Sequence, residues 1–232
     1  MIKNIIVAVL ICCSTSLFAQ EINHTLWTTF LNENVDQNGH VNYKNIKQHP
    51  ENLNAYLDIL SNSKPSSSWS KNETLAFWIN AYNAFTIKLI IDNYPLKSIK
   101  NISNPWDKEF ISINNKTYSL GNIEHDILRK LGQPRIHFAI VCASESCPKL
   151  RNEAYTANQL NTQLDLAAST FINSNKNQLT PGTIKLSKIF KWFSGDFETD
   201  GTLVQFINTY AKTKIGPSER ISYLDYNWDL NE

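Results

Sequence analysis

Residues 70–95 read SKNETLAFWINAYNAFTIKLIIDNYP and carry the strongest structural signal in the chain. Ser70 followed by Glu73 has the spacing of a capping box at a helix N-terminus. Apolar residues then recur at helical spacing, and Pro95 marks the end of the pattern. These apolar residues are Leu75, Trp78, Ile79, Tyr82, Phe85, Leu89 and Ile90. The stretch therefore predicts a long helix that is largely buried.

Two asparagines lie on one face of this predicted helix. Asn80 and Asn83 stand three residues apart and share that face with Ala76 and Ile87. Buried amides need hydrogen-bond partners, so both side chains must be satisfied by other groups. Two interpretations stay open: the amides bond the backbone of a neighbouring loop, or they orient groups in a pocket.

The chain on both sides of this helix mixes helical and extended patterns. Helices are predicted at 25–31, 50–60, 120–131, 156–173 and 202–211. The 156–173 helix opens with Thr156 and Gln159 in capping-box spacing. Strands are predicted at 110–113 and 116–119 as a hairpin, at 136–141, and within 178–193. This order favours an α+β fold, a helix-rich single domain with a small, mainly antiparallel sheet.

The N-terminus reads MIKNIIVAVLICCSTSLFAQ, which has the anatomy of a secretory signal peptide. Lys3 precedes an apolar run at residues 5–13, and small residues stand before a cut after Ala19. The run is shorter than the roughly 20 residues that span a bilayer, which disfavours a membrane anchor. We therefore expect residues 1–19 to be removed and the protein to be exported, to the periplasm or out of the cell.

Composition limits the classes of function and partner that remain. The chain has 22 Lys and Arg against 21 Asp and Glu, a formal net charge of +1. This balance argues against a nucleic-acid binder, which needs a clustered basic surface. No apolar run long enough for a membrane span is predicted after the signal peptide.

Residues 20–68 are predicted to form a helical N-terminal extension packed on a domain of residues 69–232.

Several short motifs follow one another from residue 77 to residue 228. They are FWINAYNA (77–84), PWD (105–107), IEH (123–125), RIHFA (135–139), CASESCPKLR (142–151), LSKIFKWF (186–193) and YNW (226–228). This set resembles the family called domain of unknown function 547, over about residues 69–228. The resemblance implies a family and no established activity.

Cys142 is a candidate nucleophile because it follows the predicted strand at 136–141 and begins a loop of small residues, a common place for a catalytic group. A nucleophilic thiol needs a lowered pKa, which a neighbouring imidazole can supply. His125 is the candidate general base, and Glu124 is the first candidate for the group that orients it, with Asp107 as an alternative. By analogy of parts, these residues predict a cysteine-dependent hydrolase or acyl transferase, distantly related to papain-like or transglutaminase-like folds.

Three further residues are supporting candidates for this site. His137 lies five residues before Cys142, so alternation along a continued strand would place the two side chains on opposite faces. Asn80 and Asn83 could orient the catalytic groups. The aromatic residues of the chain are expected mainly in the core, because they bury large areas. They include Trp78, Trp106, Trp192, Trp228, Tyr82 and Tyr118.

A disulfide is the alternative role for the cysteines. Removal of the signal peptide leaves only Cys142 and Cys147 of four cysteines, in a compartment where thiols oxidise readily. A disulfide between them would close the loop of a non-catalytic envelope module that binds a peptide, a protein or a small molecule. No metal or cofactor is predicted, because the histidines and cysteines lack the spacing of known zinc sites.

Overall fold

The computed structural model describes residues 22–232, so the predicted signal peptide, residues 1–19, lies outside the described residues. Helix α4 (Lys71–Asn93) is the long helix predicted from the sequence, and every residue from 75 to 91 except Lys88 is buried. The predicted capping box is present: the Ser70 hydroxyl accepts the Glu73 N–H, and the Glu73 carboxylate accepts the Ser70 N–H. A regular, capped and almost fully buried helix thus lies in the main core.

Seven further α-helices belong to residues 22–232, and they are α1 (Thr25–Asn34), α2 (Tyr43–Gln48), α3 (Glu51–Asn62), α5 (Leu160–Ile172), α6 (Ile189–Trp192), α7 (Ser194–Phe197) and α8 (Leu203–Tyr210). Helices α2 and α3 pack against α4, and α1 packs against α3. The buried apolar residues of α1, α2 and α3 belong to the same hydrophobic core as those of α4.

Helix α4 is also long and apolar enough to cross a membrane, and no other described helix of residues 22–232 is. Its most hydrophobic window is 89% buried inside the protein. Burial against α2 and α3 therefore accounts for its composition within the fold.

Two small sheets complete the architecture, and together with the helices they confirm the predicted α+β class. Strands β1 (Ile111–Ile113) and β2 (Lys116–Tyr118) form the predicted antiparallel hairpin, with Ile111 opposite Tyr118. Strands β3 (Gln178–Thr180), β4 (Thr183–Leu186) and β5 (Ile221–Tyr223) form the second sheet. In that sheet β3 and β4 are antiparallel, whereas β4 and β5 are parallel.

The predicted strand at 136–141 is wrong. The chain forms a 3-10 helix from Pro134 to Phe138, and residues 139–141 belong to no strand. Pro134 stands at the start of this turn, where its fixed φ and missing N–H fit a helical conformation. The backbone groups of the following residues bond a side-chain amide from α4 instead of a neighbouring strand. The apolar run is buried, as predicted, but it is not paired.

Other predicted boundaries also change. The predicted 120–131 helix is helical, but as a π-helix at Asn122–Leu128 followed by a 3-10 turn at Arg129–Leu131. Helix α5 starts at Leu160, because the Thr156 hydroxyl bonds the Asn158 side chain and forms no capping box. The predicted strand structure within 178–193 ends with β4 at residue 186, and helices follow.

A second hydrophobic cluster lies beside the main core. It is centred on a group of phenylalanines: Phe138, Phe171, Phe190 and Phe197. Helices α5, α6 and α8 and strand β4 contribute most of its other buried members. The cavity described below is lined by residues of both clusters.

Candidate functional site

An open cavity of about 260 Å³ lies beside the loop that carries the two cysteines. Six aromatic side chains form a large part of its wall, and a few polar groups reach into it. Its lining residues include Tyr82, Trp106, Trp192, Phe193, Tyr226 and Trp228. Candidates Cys142, Cys147, Glu124, His125 and His137 also line it. A mostly apolar cavity with a few converging polar groups is the usual form of a ligand site.

The two cysteines are joined to each other in this cavity wall. Cys142 and Cys147 form a disulfide, with their Cα atoms 6.3 Å apart. The loop is tight: the Cys147 N–H donates to the Ser144 carbonyl at 2.9 Å, and Ala143 has a φ of +55°. A left-handed conformation is uncommon for a residue other than glycine, so the loop geometry is strongly specified. With its sulfur in the disulfide, Cys142 offers no thiolate in this state.

Hydroxyl groups surround the disulfide sulfurs. The Tyr226 hydroxyl lies 3.3 Å from the sulfur of Cys142 and 3.3 Å from that of Cys147. The Ser144 hydroxyl is 3.2 Å from the Cys142 sulfur. Burial raises the pKa of Tyr226 to about 12, so this phenol keeps its proton at neutral pH.

Glu124 is a buried carboxyl group in the cavity wall. Its π-helical segment is a rare conformation that often occurs at functional sites. The residue is 7% exposed, and the Tyr82 hydroxyl donates to its Oε2 at 3.3 Å. Burial raises the pKa of Glu124 to about 7, although the Tyr82 bond and the charge of Arg129 oppose the rise. A perturbed carboxyl in a cavity is a recognised mark of a functional site.

His125 lies in the same cavity but does not contact the candidate nucleophile. Its Nδ1 is 3.3 Å from an Arg129 guanidinium nitrogen. Partial burial, and then the charge of Arg129, lower the pKa of His125 and favour the neutral imidazole. Among residues 22–232, no hydrogen bond joins His125 to Cys142.

His137 is buried and bonds Asp196, an acidic residue that was not predicted from the sequence. Its Nε2 lies 2.7 Å from Oδ2 of Asp196, and its ring stacks on Phe193 with centroids 4.0 Å apart. Arg129 donates two bonds to the same carboxylate, at 2.7 and 2.8 Å. Burial lowers the pKa of His137 against the opposing effect of Asp196. His137 and Cys142 line one cavity instead of facing opposite ways, because the backbone between them is not a strand.

Asn80 and Asn83 do not line the cavity, and both bond backbone groups. Asn80 bonds the carbonyl and the N–H of Tyr155, at 2.8 and 3.0 Å. Asn83 accepts the Val141 N–H and donates to the Ala139 carbonyl, both at 2.9 Å. The first of the two open interpretations is therefore correct for their contacts. Asn83 nevertheless positions the segment that leads into Cys142.

The expected burial of the aromatic residues holds only for part of the set. Trp78 and Tyr118 pack edge to face in the main core, with centroids 5.3 Å apart. Trp106, Trp192 and Trp228 line the cavity, and Trp192 is 45% exposed. Periodicity alone could not separate these groups, but Trp192 stands in the amphiphilic segment LSKIFKWF, next to Lys191.

No group of three or more His, Cys, Asp or Glu side chains within residues 22–232 is arranged to hold a metal ion.

The cavity offers aromatic faces, one buried carboxyl, one partly exposed imidazole and a disulfide. Its polar chemistry rests on Glu124 and His125.

The fold and the cavity define a helix-rich α+β domain with an aromatic cavity beside a disulfide-closed loop. Residues 66–172 match the model of a family described as a protein of unknown function, DUF547. The resemblance drawn from the motifs is thus confirmed. The matched range ends before the motifs at 186–193 and 226–228, which supply four aromatic residues of the cavity.

No curated protein and no solved structure matches the chain. The distant relation to papain-like or transglutaminase-like folds therefore stays a prediction.

Proposed function

We propose that this protein is an exported binding module whose ligand site is the aromatic cavity. The observation that carries the proposal is the pairing of Cys142 with Cys147 in the cavity wall. A paired sulfur cannot act as a nucleophile, because the reactive species is the thiolate. The disulfide instead keeps one wall of the cavity in a fixed shape.

The composition of the cavity supports a binding role. Aromatic rings supply large contact areas with little loss of side-chain freedom, and the disulfide fixes the loop before a ligand arrives. Trp192 is large, apolar and exposed, and it lines the cavity, so its indole is accessible to a ligand.

Binding can be tested with benzyl alcohol as a small aromatic probe. We expect it to shift the indole N–H resonances of Trp106, Trp192 and Trp228, which line the cavity, and to leave the signal of the core residue Trp27 unchanged. Trp192→Ala should weaken the effect at least threefold. Leu166→Ala, an exposed apolar residue outside the cavity, is the matched control. Uniform shifts over all indole signals would contradict a site in this cavity.

The state of the cysteines and the export step need separate measurements. Mature protein purified without reductant should resist alkylation at Cys142 and Cys147, and should take up two labels after reduction. N-terminal sequencing of that protein should begin at Gln20. Free thiols in the purified protein, or an intact Met1, would each remove one part of the proposal.

A thiol enzyme is the second candidate, favoured by the presence of Cys142, His125 and Glu124 in one cavity. After reduction of the disulfide by a dithiol reductant, His125 would take the proton of the Cys142 thiol. The thiolate would attack a carbonyl carbon and form a thioester, and the leaving amine or alcohol would take that proton from His125. Water or a second amine would then accept the acyl group. Reduced protein should acylate with p-nitrophenyl acetate faster than its Cys142→Ala variant, and Cys147→Ala should remain reactive. Equal rates for all three would exclude this candidate.

A further inference from the structure

We propose that the ligand of this cavity carries an ammonium-type cation, held between the Glu124 carboxylate and the surrounding aromatic ring faces. This inference rests on the proposed binding function and specifies the chemical class of the ligand. It follows from three observations: the unfilled hydrogen-bonding capacity of Glu124, the pairing of the nearby Arg129 with another carboxylate, and the aromatic lining.

Glu124 has acceptor capacity that the protein leaves unused. An ionised carboxylate offers about four acceptor positions. Among residues 22–232, the Tyr82 hydroxyl is its one hydrogen-bond donor, and that bond is long at 3.3 Å. The carboxyl is 7% exposed and lines the cavity, so a molecule bound there can reach it. A ligand that donates to it would fill the missing positions.

Arg129, whose charge acts on Glu124, and the buried His137 imidazole are both bonded to another carboxylate. Arg129 places its Nε and Nη2 on Asp196, and His137 places its Nε2 on the same carboxylate. The other titratable groups that line the cavity with Glu124 are the Tyr82 and Tyr226 phenols and the His125 imidazole, whose lowered pKa favours its neutral form. Asp196 is therefore neutralised by its own partners, while Glu124 is left as the carboxylate without a cationic hydrogen-bond partner.

The ring faces around Glu124 suit the same kind of ligand. Trp228 is the centre of an aromatic cluster, with ring centroids 4.5 Å from Tyr226, 5.7 Å from Trp106 and 5.8 Å from Trp192. Aromatic faces attract cations within about 6 Å of their centroids. The protein's own Lys100 ammonium already lies 4.9 Å from the Trp228 centroid. One ring of the cluster therefore already contacts an ammonium group, from a side chain that does not line the cavity.

Charge decides between a cation and a neutral ligand. A neutral hydroxyl ligand would give Glu124 one further donor but would leave its charge uncompensated in an apolar wall. An ammonium group supplies up to three donors and a positive charge at once. Burial of Glu124 is fixed by the fold, so its desolvation is not paid again when a ligand binds.

The test compares two probes of nearly equal shape, benzylammonium and benzyl alcohol. Affinities are measured on the oxidised protein from the cavity indole resonances at pH 8 and pH 6. We expect benzylammonium to bind at least tenfold more tightly than benzyl alcohol at pH 8. Its affinity should fall roughly fivefold to tenfold at pH 6, where a carboxyl with a pKa of about 7 is mostly protonated. Benzyl alcohol should show no such fall.

Glu124→Gln is the decisive variant, since it keeps the shape and removes the charge. It should lose most of the preference for benzylammonium, keeping only what the ring faces contribute, and lose the pH dependence specific to that probe. His125 and His137 remain in this variant, so any effect of their titration appears in both proteins and is subtracted. Glu109→Gln, an exposed acidic residue outside the cavity, is the matched control and should behave as wild type.

The outcomes separate the two levels of the proposal. Equal affinity of the two probes for wild-type protein, or an unchanged preference in Glu124→Gln, overturns the cation inference while the cavity remains a binding site. Failure of both probes to shift the cavity indole signals overturns the binding function as well.

Discussion

Helix α4 and the neighbouring segment of residues 122–148 differ in the regularity of their backbone. Helix α4 is regular, capped and almost wholly buried. The segment contains a π-helix, two 3-10 turns and a disulfide loop, with no α-helix or strand inside its bounds. The regular element satisfies its own backbone and supplies the core, whereas the irregular segment presents polar side chains to the cavity. Irregular backbone needs partners from elsewhere, and α4 provides them.

The largest expected effect comes from breaking the contact between these regions. Asn83→Ala leaves the Val141 N–H and the Ala139 carbonyl buried without their partner. Since each unsatisfied buried group costs about 1–3 kcal/mol, we expect a loss of about 3 kcal/mol in the free energy of unfolding. Urea denaturation measures it. Asn93→Ala, which removes a bond to Leu89 at the exposed end of the same helix, should cost less than about 1 kcal/mol. Equal losses would mean that the amide does not hold the segment.

A second change acts inside the irregular segment. The folded pKa of Glu124 is about 7, above the usual 4.5, so its contribution to stability is fully present below pH 4.5 and is lost as the pH rises through 7. This pKa shift corresponds to a destabilisation of the ionised carboxylate in the folded protein by roughly 3 kcal/mol, which relaxation of the cavity reduces. Glu124→Gln should therefore be more stable than wild type at pH 8 by about 2 kcal/mol, with no such gain at pH 4. A pH-independent difference between the two proteins would contradict the raised pKa.

The same contrast explains which elements of the fold could be predicted from the sequence. Helix α4 was predictable because capping, apolar spacing and the final proline all agree within one local stretch. The conformation of residues 136–141 could not be predicted in this way, because the apolar run also fits a buried strand. The backbone of residues 139–141 is held by the side chain of Asn83, more than fifty residues earlier in the chain. A local pattern cannot report a partner that far away.

The site was predictable to a similar degree. Four residues were chosen from the sequence because of their chemically reactive side chains, and all four line one cavity: Cys142, His125, Glu124 and His137. Asp196, which pairs with His137, lies in a short helix far along the chain and has no local signal. The choice between thiol and disulfide needed three-dimensional geometry, because both states use the same residues.

A third change removes the covalent restraint on the irregular segment. The Cys142–Cys147 disulfide closes a loop of about six residues, for which chain entropy predicts about 2 kcal/mol. Replacing both cysteines with serine should lower the free energy of unfolding by that amount. Reduced wild-type protein should match the double variant, and a variant of α4 such as Asn93→Ala should lose stability equally in oxidised and reduced protein. An unchanged stability on reduction would mean that the bond restrains nothing in the unfolded chain.

The smallest expected effect tests why the regular region is regular. Ser70 and Thr156 stand in the same sequence pattern, yet only Ser70 caps a helix, through its bond from the Glu73 N–H. Ser70→Ala should therefore cost about 1 kcal/mol, the usual value of an N-cap. Thr156→Ala should cost less than about 0.5 kcal/mol, because its hydroxyl bonds only the exposed Asn158 side chain. Thermal unfolding of the two variants side by side measures the difference. Equal costs would show that the 156–159 pattern acts as a cap after all, and that α5 begins earlier than Leu160.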